Sequence, residues 1–193
     1  MQKLAPSDLY TLEAYARERT AFRTRVLAHK RPRIVHIGAH VTLVFEDRLT
    51  IQYQIQEILR VERVFEPTGI AEELEAYNPL IPDGSNLKAT MLIEYPDADE
   101  RAKKLIELHD VENRVALQIG DLAAVTVVAD EDLDRSTDAK TSAVHFLRFE
   151  LNPDQLAAFK RGEKAAFRID HPAYLERTVL DVAARAALVR DFD

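Results

Sequence analysis

The chain has 193 residues, of which 47% are hydrophobic and 31% charged, with a net charge of −7. A chain of this length buries about 70% of its unfolded surface, so one sizeable core is available, and no run approaches the ~18 apolar residues of a membrane span. The absence of cysteine excludes disulfides, thiolate catalysis, a zinc ribbon and cysteine-ligated iron–sulfur clusters, while the acidic balance argues against a general nucleic-acid surface, which needs clustered Lys and Arg.

The first stretch, MQKLAPSDLYTLEAYARER, carries acids and bases where a signal peptide needs an uninterrupted apolar region. The expectation is a cytoplasmic protein. Ser7 or Asp8 opens a first helix by accepting from the free N–H groups of its first turn, and Leu9, Leu12, Tyr15, Phe22 and Val26 carry its apolar stripe to His29. Its Arg17, Arg19, Arg23 and Arg25, followed by Lys30, Arg31 and Arg33, read as a solvated face or as partners for the acidic remainder.

RPRIVHIGAHVTLVFE follows, with β-branched residues on either side of Gly38, the pattern of a tight hairpin. Then comes one long central helix, Phe45 to Glu66. At 100° per residue Ile51, Ile55, Ile58 and Phe65 form a narrow stripe with Leu59 on its edge, and this stripe is expected to face the core. Glu62 lies near the centre of the same stripe. If buried, it needs an ion-pair partner, or it serves as a metal ligand or proton-transferring acid.

Pro67-Thr68-Gly69 breaks the chain before a short helix from Ile70 to Tyr77 and a loop, NPLIPDGSN. Strand LKATMLIEY, surface helix DADERAKKLIELH with Asp97 at its N-cap, and strands RVALQIG and AAVTVVAD paired through a Gly120-Asp121 turn come next. EDLDRSTDAKTS reads as an exposed loop. The chain closes with strand AVHFLRFEL, helix PDQLAAFKRG, strand KAAFRIDHP and a last helix, VAARAALVRDF, capped by Asp181. Short connections favour antiparallel neighbours. The fold class is therefore α+β: a mostly antiparallel sheet packed against several helices, with residues 1–193 as a single domain.

Three constellations carry possible chemistry. Tyr53, Glu57 and Arg60 recur at i, i+4 and i+7, so that the carboxylate orients a guanidinium able to fork a carboxylate or phosphate ligand; a polar layer between two elements is the structural alternative. Arg148, with Glu150, Arg168 and Asp170, forms a cross-strand charge ladder if the two strands are neighbours, and it joins the first set as a candidate anion contact. Histidine gives the third. A three-residue turn sets His36 and His40 opposite each other on one sheet face, where they can share a divalent metal such as Fe, Mn or Zn, with Glu46, Glu62 or His145 to complete the site if folding brings them near. Exposed turn histidines and a satisfied core His145 are the alternatives. There is no HExxH, nucleophile elbow, glycine-rich phosphate loop or dinucleotide fingerprint, so no catalytic residue is assigned.

The phrases LVFEDRLTIQYQIQEILRVERVFE, EELEAYNPLIPDGSNLKATMLIEY, KTSAVHFLRFEL and IDHPAY resemble an uncharacterised bacterial family of domains of unknown function, over about Leu9 to Tyr174. That family is commonly encoded beside rubrerythrin and an iron–sulfur oxidoreductase. The resemblance implies an accessory or binding protein linked to such a redox system, with a rubrerythrin-like or iron–sulfur protein as partner and oxidative stress as context. It carries over no catalytic residues. A metal-dependent enzyme or sensor with His and carboxylate ligands, and a module binding an anionic small molecule, remain the alternatives.

Overall fold

The computed structural model describes residues 2–131, 133, 135–137 and 139–192. Eight strands form one sheet in the order β1-β2-β3-β6-β5-β4-β7-β8, every neighbouring pair antiparallel. They are β1 (Ile34–Ile37), β2 (Val41–Phe45), β3 (Asn86–Ile93), β4 (Val115–Ile119), β5 (Val125–Ala129), β6 (Val144–Glu150), β7 (Ala165–His171) and β8 (Tyr174–Val179). Among the described residues six α-helices accompany them: α1 (Leu12–Lys30), α2 (Arg48–Glu62), α3 (Pro67–Tyr77), α4 (Ala98–Glu107), α5 (Pro153–Arg161) and α6 (Val182–Val189). No helix among the described residues is long and apolar enough to cross a membrane. The α+β architecture of the sequence reading stands.

The period of two explains the sheet. In β3, Leu87, Ala89, Met91 and Ile93 are buried while Lys88, Thr90 and Leu92 lie on the other face, and β6 alternates in the same way, with His145, Leu147 and Phe149 inward. The inward faces meet in one core, where Phe45, Phe149 and Phe167 pack with ring centroids 5.1 to 6.5 Å apart. The sheet curls until β1 and β8 come together: the Tyr174 hydroxyl donates to the Ile37 carbonyl at 2.7 Å and Thr178 Oγ1 donates to the His36 carbonyl at 2.7 Å. The sheet is therefore nearly closed. Phe159 of α5 and Ala184 and Leu188 of α6 join the strand core, whereas α1, α2 and α3 bury two smaller clusters of their own.

Several boundaries differ from the sequence reading. Pro6–Asp8 is a separate 3₁₀ turn, and Thr11, not Ser7 or Asp8, caps α1. The central helix is shorter than Phe45 to Glu66, because Phe45 completes β2 and Arg63 adopts a left-handed φ of 57° that ends the helix; α1 is the longest helix. Strand β8 was not anticipated, since Leu175, Glu176 and Arg177 are all exposed and show no alternation. In the segment read as an exposed loop, Asp132, Asp134 and Asp138 lie outside the described residues, as do Met1 and Asp193; Thr141 of that segment is buried.

Candidate functional site

Helices α1 and α2 build the polar site nearest to the sequence expectation. Asp47 starts α2 by accepting from the Leu49 and Thr50 amides at 3.0 and 2.9 Å, while Thr50 Oγ1 accepts from the Asp47 amide, a reciprocal cap that fixes the helix entry. The two helices run antiparallel, since His29 meets Asp47 at one end and Tyr15 meets Glu57 at the other. Ile51, Ile55 and Leu59 are buried against Leu74 and Ile81, and Phe22 packs 5.9 Å from Tyr53.

Glu57 is held from three sides. Arg19 donates to both of its oxygens at 2.8 Å, the buried Tyr15 hydroxyl donates at 2.6 Å, and Arg60 reaches it at 3.5 Å. The Arg19 fork, reinforced by Tyr15, brings its carboxyl down to about 2. Burial and then the Glu57 charge push the Tyr15 phenol well above its ordinary value. The predicted grouping of Tyr53, Glu57 and Arg60 on one side of α2 is present, but Glu57 is already engaged by protein donors and acts as the polar tie between α1 and α2.

Arg148 stands elsewhere, on the outward face of β6, where it donates twice to Glu131 and once to Glu150. The four-membered charge ladder does not form. Strands β6 and β7 are separated by β5 and β4, so Arg148 pairs with Glu150 and Arg168 with Asp170, each within its own strand.

The five proposed metal ligands are dispersed. The hairpin register pairs Ile37 with Val41 and His36 with Thr42, which leaves His40 in the turn and corrects the expectation that it faces His36. His36 Nδ1 contacts Thr42 Oγ1 at 2.9 Å, and His40 stacks on Tyr95 with ring centroids 4.0 Å apart. Glu46 is buried at the end of β2, accepts from Thr90 Oγ1 at 2.9 Å, and has Oε2 without a hydrogen-bond partner. Glu62 is exposed, which removes the buried-charge question, and Phe65 is 67% exposed instead of facing the core. His145 is fully buried, with Nδ1 2.6 Å from Asp130 Oδ2 and Nε2 2.8 Å from Thr141 Oγ1, itself a donor to Glu112. No group of three or more His, Asp or Glu among the described residues is placed to hold a metal ion.

Sequence reasoning missed a second buried polar cluster. Arg33, read as part of a basic run, is 1% exposed. It donates to the carbonyls of Phe45, Glu46 and Ala187 at 3.0 to 3.1 Å and to Asp191 Oδ2 at 2.6 Å, with Asp47 3.5 Å away. Burial pushes the Asp191 carboxyl up to about 6 although Arg33 pulls it down. Burial also opposes the charge on Asp47, yet Arg33, the Thr50 amide and His29 hold its carboxyl below the usual range. The only local signal was that Arg33 shares the alternation of Val35 and Ile37.

The outward side of α2 is open. A hollow of about 350 Å³ runs from Thr50 past Tyr53 and Ile58 to Val61, and a second of about 320 Å³ lies between Tyr10, Leu59, Phe65 and Ile70. Val61, on the first, and Phe65, on the second and beyond the Arg63 turn, are 65% and 67% exposed.

Comparison with known proteins agrees with this architecture. A crystal structure of a novel protein of unknown function from Burkholderia pseudomallei K96243 is similar at 48% identity and a TM-score of 0.94, over 100% of both chains. No curated protein matches. The family model described as "Protein of unknown function (DUF3501)" matches residues 3–192, and the chain belongs to that family.

Proposed function

We propose that the protein is an accessory binding protein of a cytoplasmic redox system and that it docks a rubrerythrin-like or iron–sulfur protein through the outward side of α2. The partner class rests on the resemblance drawn from the sequence. The observation that carries the docking face is the exposure of Val61 and Phe65 beside the two hollows. Exposed apolar surface beside a hollow is a common mark of a protein interaction site. Arg17, Arg23 and Arg25 are exposed around the neighbouring α1 and give it a local basic excess on a chain of net charge −7, which would steer a partner with an acidic docking patch.

The test is a binding titration of the full chain against a recombinant rubrerythrin-like protein and a recombinant iron–sulfur oxidoreductase, at low and high salt. Binding that weakens with salt, and that falls at least ~10-fold in Val61→Glu/Phe65→Glu with an unchanged melting temperature, is expected. Both substitutions are at exposed positions, so folding is preserved. No binding to either protein at ~100 μM, or equal binding by the double variant, would overturn the proposal.

A further inference from the structure

Lys88 on β3 and Arg148 on β6 are register partners, two cations side by side on the outward face. Like charges directly opposite destabilise an antiparallel pair, so an anion is needed between them. Glu131 supplies it in this structure, with Oε2 2.7 Å from Arg148 Nε and Oε1 2.8 Å from Nη2, a bidentate fork. Lys88 donates to the Pro79 carbonyl and forms no ion pair with a carboxylate among the described residues; burial lowers its pKa. Beside the pair lies a cavity of about 70 Å³ with apolar walls from Ala76, Pro79, Leu80 and Phe146.

We propose that Lys88 and Arg148 form a binding site for a small monocarboxylate, whose apolar tail enters the cavity between Leu80 and Phe146, and that Glu131 of the same chain occupies this site until the ligand displaces it. The planar fork of Arg148 matches a carboxylate, and Glu131 demonstrates the fit. The two acidic neighbours differ in how firmly they are held. Glu150 also accepts from Ser85 at 2.6 Å and Asn86 at 3.2 Å, so it remains in place. The Glu131 side chain is 52% exposed and, among the described residues, is held in an ion pair by Arg148 only, so it is the exchangeable one. With about 70 Å³ open to a water-sized sphere, against the ~10–15 Å³ that one water needs on the same measure, the cavity holds a short tail of a few carbons.

The experiment uses the full chain, with propionate and butyrate as probes, butyramide as an uncharged control and inorganic phosphate as a competing anion, followed by NMR titration. A partly exposed pair in cis fills its site about 60–85% of the time, so Glu131→Gln is expected to bind butyrate about twofold to sixfold more tightly than the parent. A gain of affinity is not an outcome that misfolding produces. Arg148→Gln in the Glu131→Gln background is expected to lose binding, and Lys88→Met to weaken it, each with its melting temperature recorded. The proposal is overturned if Glu131→Gln binds neither acid at ~10 mM, or binds no more tightly than the parent. It is equally overturned if Arg148→Gln leaves affinity unchanged, if butyramide binds as well as butyrate, or if phosphate alone binds.

Discussion

Replacing Arg33 with Met tests the buried cluster at its centre. Arg33 joins the end of β2, through the Phe45 and Glu46 carbonyls, to the C-terminal segment, through Ala187 and Asp191, from a position 1% exposed. Methionine fills similar volume but leaves Asp191 without its cation, removes the Arg33 charge from beside Asp47 and leaves three carbonyls without their donor. Removing one partner of a buried pair costs about 3–5 kcal/mol, which at about 2–4 °C per kcal/mol for a chain of this size lowers Tm by roughly 6–20 °C. The pH dependence gives the sharper test. Asp191 has a folded pKa raised from 3.8 to about 6, so its favourable contribution is complete below the unfolded value and is lost as pH rises through about 6. In the parent this loss ends near that value. Without Arg33 the main lowering influence is gone, the folded pKa moves higher, and stability keeps falling above pH 6. Urea melts at pH 5, 6 and 8 should therefore show a deficit in Arg33→Met that grows with pH. A deficit below about 1 kcal/mol, or one equal at pH 5 and pH 8, would refute the reasoning.

Two further predictions concern other ties. Glu57, brought down to about 2, contributes stability above the ordinary carboxylate range that is lost as pH falls through about 2; Glu57→Gln should cost about 1–2 kcal/mol at pH 7 after solvent screening, and melts should show the gap closing in strong acid. At the β1–β2 turn, Gly38 has φ +66°, and a Cβ there would lie 2.6 Å from Tyr174 Oη and 2.7 Å from Glu176 Cγ. Gly38→Ala should therefore destabilise by about 1–3 kcal/mol and increase amide exchange at His40, whose N–H donates to Tyr174 Oη, with unchanged exchange counting against this account.

The sequence reading succeeded where local chemistry is sufficient. Asp97 and Asp181 cap α4 and α6, and Gly162 ends α5 at φ 93°, as their residue types require. The β4–β5 pairing through Gly120-Asp121 is present. Its failures share one cause, which is that periodicity assigns a side chain to a face but not to a neighbour. The wheel placed Glu62 and Phe65 in the core stripe by extending one helix through Arg63; the left-handed turn at Arg63 takes Phe65 out of that stripe, and Glu62, in the last turn of α2, is exposed. Tyr53, Glu57 and Arg60 were correctly grouped by their spacing, yet Tyr15 and Arg19, which satisfy Glu57, come from 38 to 42 residues away.

The amino-acid pattern by itself determined the α+β class, the inward faces of β3 and β6, the helix starts at Asp97 and Asp181, and the absence of thiol chemistry, because these depend on composition and on contacts within a few residues. Tertiary structure decided the strand order, which separates Arg148 from Arg168 and sets it opposite Lys88. It also decided the closure of β8 toward β1 and the burial of Arg33 beside Asp191, 158 residues away in the chain. Such pairings depend on which elements meet as the sheet curls around a shared core, and no local periodicity contains that choice.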